Sequence, residues 1–308
     1  MLSGPRSAIL LHSRREMLAL VLVALAVFCL SGRASAPAAA QTPEDHVRFV
    51  VIGDYGSGGR GEAAVAEMVK AWEPDFIVTT GDNNYPDGAA STIDAHVGQF
   101  YHDFIYPYHG RYGVGAATNR FFPTLGNHDW STADAQPYLD YFTLPGNERY
   151  YDLTWGPVHL FALDSDYREP DGISATSEQA KWLKERLAAS TEPWNLVCFH
   201  VPPYSSGLRG STSELRWPFQ GWGATAVLTG HDHTYERIVI DSFPYFVNGL
   251  GDDTWYVFKT PVKGSAVRYN RASGAMLVEA DERTITFEFW SVVDGGTLVD
   301  RYTITGSG

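Results

Sequence analysis

The sequence predicts an α/β protein, and three observations carry that expectation. Between Val47 and Leu228, short β-branched or apolar runs alternate with helical periods. Several of the apolar runs stop at a glycine followed by Asp, Asn or His. After Arg237 the pattern changes to strand-like runs alone, separated by turn residues.

Val47 to Ile52 reads as a buried strand ended by Gly53-Asp54-Tyr55-Gly56. A helical period follows from Glu62 to Trp72, with Val65, Met68, Val69 and Trp72 on one face and Pro74 beyond it. Phe76 to Thr80 is a second strand, ended by Gly81-Asp82-Asn83-Asn84-Tyr85. Strand, helix and strand thus place a carboxylate at each strand's C-terminal end, the edge at which open α/β sheets bind ligands. Residues 86–120 show no clear period; Val97 to Tyr108 reads as a helix stopped at Pro107, and His96, His102 and His109 as loop histidines. Phe121 to Leu125 is a short strand ended by Gly126-Asn127-His128-Asp129, and Tyr138 to Phe142 belongs to a short helix. Tyr150 to Trp155 and Val158 to Leu163 form a hairpin across Gly156-Pro157, with Asp164 as a turn acceptor. Ser177 caps a helix reaching Ala189 whose buried face is Ala180, Leu183 and Leu187. Trp194 to Phe199 is a strand ended by His200, and Ser205 to Trp217 is a polar loop fit to line a pocket entrance. Ala224 to Leu228 is a strand ended by Gly230-His231-Asp232-His233. Histidines two apart on an extended segment face the same side, so both imidazoles are offered to one place. The later strands are Ile238 to Ile240, Tyr245 to Val247, Ala275 to Val278, Thr284 to Trp290 and Tyr302 to Ile304.

Composition narrows the function classes. The chain has 308 residues, 44% of them hydrophobic, and a formal net charge of -13. No basic run follows the N-terminus, so a nucleic-acid-binding surface is not expected, and a phosphate site in so acidic a chain needs local positive charge such as bound cations. Residues 1–40 read as an export signal and residues 41–308 as one folded domain. Arg14-Arg15 precedes an apolar stretch from Met17 to Leu30, and Ala34-Ser35-Ala36 and Ala38-Ala39-Ala40 supply small residues for cleavage. The apolar stretch is shorter than the roughly 20 residues of a membrane span, so no span is expected in the mature chain. The Arg14-Arg15 pair points to a twin-arginine signal and a periplasmic or secreted protein, with a plain secretory signal or an uncleaved anchor as the alternative readings. Of the two cysteines, Cys29 lies in this segment and Cys198 in an apolar run, where it reads as a small buried hydrophobe.

Five strand ends therefore carry polar groups: Asp54; Asp82 with Tyr85; Asn127 with His128 and Asp129; His200; and His231 with His233. The donors are oxygen and nitrogen without thiolate, which suits Fe, Mn or Zn, and they are numerous enough for two ions. Taken in order, Gly53-Asp54-x-Gly56, Gly81-Asp82-x-x-Tyr85, Gly126-Asn127-His128-Asp129, Val197-x-x-His200 and Gly230-His231-x-His233 resemble the calcineurin-like metallophosphoesterases. Within them the pattern is similar to the purple acid phosphatases, including the tartrate-resistant kind.

The resemblance implies a four-layer α/β/β/α sandwich of two mixed sheets with a dinuclear metal site at the sheet edge. It implies that Asp54, Asp82, Tyr85 and His233 hold one ion and that Asn127, His200, His231 and a bridging Asp82 hold the other. An ionised Tyr85 implies Fe(III) as the first ion, with Fe, Zn or Mn as the second. Such a pair delivers a hydroxide in line to a small phosphate monoester. His128 is then the expected general acid and Asp129 the residue that orients it. The resemblance also exposes a departure: the segment after His200 lacks the histidines with which that subgroup grips phosphate. Tyr204 or Arg209 is the expected substitute, a solvated loop charge being the other reading of Arg209. A Mn- or Zn-dependent phosphodiesterase or nucleotide hydrolase of the same superfamily is the alternative, and a binding protein that keeps the fold without turnover is the rival from another class.

Overall fold

The computed structural model describes Met1 and residues 46–306; the expected export signal lies outside the described residues. Two mixed sheets form the frame. The first has six strands in the order β13-β12-β11-β1-β2-β3. These are β1 (His46–Ile52), β2 (Phe76–Thr79), β3 (Phe121–Phe122), β11 (Gly274–Asp281), β12 (Thr284–Ser291) and β13 (Thr297–Thr305). The second has seven, in the order β10-β8-β9-β7-β6-β5-β4. Its members are β4 (Tyr151–Trp155), β5 (Val158–Ala162), β6 (Trp194–Cys198), β7 (Ala226–Thr229), β8 (Tyr235–Ile240), β9 (Phe243–Asn248) and β10 (Ser265–Tyr269).

Alternation along the strands builds the layers. In β5, β6 and β7, Leu160, Ala162, Leu196, Cys198, Ala226 and Leu228 enter the cluster between the sheets. Their neighbours Phe161, Val197 and Val227 point the other way, where they pack with Ala180, Leu183 and Leu187. Those three residues are the buried face of the long helix Glu178–Ala189, and the Ser177 hydroxyl caps it by accepting the Ala180 N–H at 3.1 Å. The first sheet repeats the logic. Phe287 and Phe289 of β12 stack on Phe246 and Tyr235 of the second sheet, with ring centroids 4.8 Å and 4.1 Å apart. Trp290, one residue on, faces away and meets Trp72 at the end of helix α1 (Arg60–Ala71). The result is helix, sheet, sheet, helix, as the resemblance implied.

Two local expectations shift. The helix read over residues 97–108 opens earlier, as a π turn over Asp94–Gly98, and runs through Gln99–Tyr101 to a 3₁₀ turn over His102–Phe104. It ends before Tyr106 because a residue ahead of proline avoids the helical region. Edge strand β10 had no legible signal; its half-exposed residues gain strand character by pairing with β8.

The topology also sets where the site lies. β1, β2 and β3 run parallel, as do β5, β6, β7 and β9. Parallel strands discharge their following loops at one edge, so β1, β2, β3, β6 and β7 all deliver polar residues to the same rim.

Candidate metal centre

The seven expected ligand side chains meet at that rim. The Tyr85 phenol oxygen lies 3.4 Å from Asp54 Oδ1, 3.1 Å from Asp82 Oδ2 and 3.1 Å from His233 Nε2. On the other side of Asp82, His200 Nε2 is 3.3 Å from Asp82 Oδ2, 3.1 Å from Asn127 Oδ1 and 3.1 Å from His231 Nδ1. Two overlapping donor sets result, and Asp82 belongs to both.

The supporting backbone explains the convergence. Asp54, Asp82 and His231 have φ of 53°, 53° and 67°, in the left-handed region that is uncommon for residues other than glycine, though Asp and His enter it more readily than most. Such strain persists where the surroundings over-determine it, and it clusters at functional sites. The Asp54 carboxylate accepts the His231 N–H at 2.9–3.0 Å, joining the loops after β1 and β7. The Asp54 N–H donates to the Gly81 carbonyl at 3.0 Å, joining those after β1 and β2. Gly81 is required as glycine: its φ is +91°, and a Cβ there would lie 2.7 Å from His200 Nδ1. His200 Nδ1 bonds the Thr80 carbonyl at 2.8 Å and His233 Nδ1 the Thr254 carbonyl at 3.0 Å. Each bond holds the proton on Nδ1 and turns Nε2 into the cluster as a lone-pair donor.

The electrostatics test whether cations fit. Burial pushes Asp54 up to about 8, with the Asp82 charge adding to the rise. Burial also lifts the Tyr85 phenol well above its ordinary range, helped by Asp82 and Asp54. His231 is pushed down to about 3 by burial and by His200, with a smaller contribution from the Arg209 guanidinium. His233 is pushed down to about 4, chiefly by burial. Burial opposes charge on Asp82 and His200 as well, but their mutual attraction outweighs it, holding Asp82 well below the carboxylate range and raising His200 to about 10. Beyond the His200–Asp82 pair, buried acceptor atoms of Asp54, Tyr85, His231 and His233 thus face one another with no further positive charge to share. Divalent or trivalent cations relieve each of these conflicts at once, so the donor set fits two metal ions.

The remaining expectations divide. His128 stands at the mouth: its ring packs edge-on against Tyr85 at 4.6 Å, its N–H donates to Asp82 Oδ1 at 2.9 Å, and its Nε2 is 3.9 Å from Asp82 Oδ2. Its Nδ1 is bonded to the Pro86 carbonyl. Asp129 does not orient it. The Asp129 carboxylate is buried and accepts the N–H of Asn83, the N–H of Gly126 and the Asn83 side-chain amide, so it braces the loops carrying Asp82 and Asn127. Tyr204 also misses the site. It packs on Tyr245 at 4.9 Å beneath Arg216, in the cluster beside the helix Glu178–Ala189. Arg209 does reach the rim, where its guanidinium lies 5.6 Å from the Tyr256 ring centroid. Asp164 is a turn acceptor, taking the Asp166 N–H and the Trp130 indole N–H. Glu236 accepts the Ser206 N–H and hydroxyl, whereas Arg237 pairs with Asp300 of the other sheet at 2.7 Å.

Sequence reasoning missed two groups. Asn83 is fully buried and ties Tyr55, Thr79, Thr124 and Asp129 together. Tyr256 lies flat on His233, with centroids 4.2 Å apart and planes 12° from parallel. Asn83 lies in the Gly81–Tyr85 stretch already singled out and could have been read as part of it; no local signal marks Tyr256.

Comparison with known proteins agrees with this geometry. Residues 47–235 match the calcineurin-like phosphoesterase family, and the chain belongs to it. It is a metal-dependent phosphoester hydrolase, and membership implies a dinuclear site. Similar curated proteins include purple acid phosphatase 17 of Arabidopsis thaliana, 27% identical over 68% of this chain and 69% of that one. Tartrate-resistant acid phosphatase type 5 of Mus musculus is 27% identical over 68% of this chain and 74% of its own length. Among solved structures, purple acid phosphatase PPD1 of yellow lupin superposes with a TM-score of 0.67 at 18% identity, over 87% of this chain and 55% of that one. GAP50, the anchor in the inner membrane complex of Plasmodium, does so with 0.67 at 17% identity, over 85% and 90%. Among the described residues no helix is long and apolar enough to cross a membrane.

Proposed function

We propose that this protein is an exported phosphomonoesterase of the purple acid phosphatase type. The observation that carries this reading is the position of the Tyr85 phenol, in contact with Asp54, Asp82 and His233 together. Asp54, Asp82, Tyr85 and His233 would hold Fe(III), and Asp82, Asn127, His200 and His231 a second ion, Fe, Zn or Mn. A phenol buried beside two carboxylates ionises only against a strong Lewis acid, which favours the ferric ion in the first set. When bound, such a pair activates water and neutralises phosphate oxygens.

The chain's own residues do the rest. The Pro86 carbonyl holds a proton on His128 Nδ1, so the imidazolium form presents an Nε2–H to a leaving alkoxide. Asp129 and Asn83 keep the Asp82 and Asn127 loops rigid while that proton moves. Tyr256 covers one face of His233 and excludes water from it. Export rests on the Arg14-Arg15 pair and the apolar segment behind it.

Purified protein decides between this reading and a Mn or Zn phosphodiesterase or nucleotide hydrolase. A violet absorption that Tyr85→Phe abolishes supports ferric tyrosinate; a colourless, fully active enzyme refutes it. Secretion that survives Arg14→Lys with Arg15→Lys, and stops when the general secretory route is inhibited, refutes twin-arginine export.

A further inference from the structure

Between the two site histidines lies Asp232, fully buried, which no metal-binding role uses. Its carboxylate faces away from the cluster and organises the loop 205–210. It accepts the Ser205 hydroxyl, the Arg209 N–H at 2.6 Å and the Gly210 N–H at 3.0 Å. The loop is pressed onto it: a Cβ at Gly207 would sit 2.6 Å from Asp232 Oδ1. A second loop is tied to the same place. The Lys259 N–H donates to the Ser206 carbonyl at 2.7 Å, and the Tyr256 N–H donates to the His233 carbonyl at 2.9 Å. Arg209 and Tyr256, one from each loop, meet over the rim, and Tyr256 carries the stack on to His233. A charged side chain exposed on a polar loop is ordinarily free to roam. Here its backbone is pinned on both sides and its guanidinium rests on an aromatic ring held against the site, which lowers the entropy cost of using it.

We propose that Arg209 is the phosphate-gripping residue of this site and that Asp232 is the positioning residue that aims it. The inference rests on the phosphoester-hydrolase reading. A guanidinium forks across two non-bridging oxygens, and a monoester offers a more negative pair than a diester does. Arg209 therefore favours monoesters.

The test uses the full-length, metal-loaded enzyme with p-nitrophenyl phosphate, bis(p-nitrophenyl) phosphate and inorganic phosphate. Arg209→Ala should raise KM for the monoester about 10- to 100-fold, with kcat moving less, and weaken phosphate binding in calorimetry to the same extent. The diester KM should shift by less, and Arg209→Lys should recover part of the loss. Gly207→Ala forces the loop off Asp232 without touching a metal-facing side chain. It should weaken phosphate binding in the parent at unchanged metal content, and add nothing in the Arg209→Ala background. The proposal is overturned if Arg209→Ala leaves monoester KM and phosphate binding within about twofold, or if Gly207→Ala acts equally in both backgrounds. Should the enzyme cleave neither ester while Arg209→Ala still weakens phosphate binding, the hydrolase reading fails and the phosphate contact stands.

Discussion

His200 and Asp82, from the loops after strands of different sheets, approach to 3.3 Å between Nε2 and Oδ2, and both side chains are buried. The contact is the hinge of the site. Through it a ligand from one sheet touches a ligand from the other, and Asp82 is shared between the two donor sets, each of which draws on both sheets. Any loss of this pair leaves a buried charge without its partner.

Asp82→Asn should therefore abolish hydrolysis to within the background of the assay, a fall of about a thousandfold or more. Metal content measured on the purified variant should drop with it. Full metal content with near-normal turnover would show that Asp82 is not shared between two ions.

His128→Ala should reveal a proton donor by its dependence on the leaving group. The kcat for an alkyl phosphate should fall about 10²- to 10⁴-fold. The loss for p-nitrophenyl phosphate should be much smaller, because p-nitrophenolate leaves without a proton. Equal losses for the two substrates would make His128 a binding residue.

Gly81→Ala combines an unfavourable φ with a close approach to His200. Denaturant unfolding should show a loss of about 1–3 kcal/mol, as strained backbone positions cost. The displaced imidazole should also lower metal affinity. An unchanged midpoint would mean that the backbone here relaxes freely.

Asp152 offers a pH-dependent test away from the site. Burial raises its carboxyl, but hydrogen bonds from His159 and Arg186, together with the Arg186 charge, outweigh that and hold it below the usual range. A depressed carboxyl contributes stability above its unfolded value of about 3.9 and loses it as pH falls through the folded value. Asp152→Asn should thus cost about 0.5–1 kcal/mol at pH 7, given the partial exposure of the cluster. The difference from the parent should shrink below about pH 4. A difference undiminished at about pH 2 would assign the effect to packing.

Cys198 is fully buried between the sheets, its thiol pushed far up by burial and donating to the Thr79 carbonyl at 3.4 Å. It should resist thiol reagents in the native protein and react only in denaturant. Rapid native labelling would mean that the two sheets separate.

How much of this was written in the chain follows from what a local pattern encodes. The α1 period, the Ser177-capped helix, the β-branched runs and the polar residues after Gly53, Gly81, Gly126 and Gly230 are local properties, and all were legible. Strand direction adds one more inference, since parallel strands empty onto one edge. The sequence by itself thus determined the α/β class and the residues available to the rim. The tertiary structure alone decided which of them touch. It turned Asp129 toward Asn83 instead of His128, sent Tyr204 into the helix-side cluster, set Tyr256 on His233, and gave Asp232 to the loop 205–210. It also placed Asp54, Asp82 and His231 in the left-handed region, a conformation no local preference of those residues specifies. These outcomes depend on register and loop packing between segments far apart in the chain. Periodicity cannot carry that information, because it records which face a residue takes and not what lies across from it.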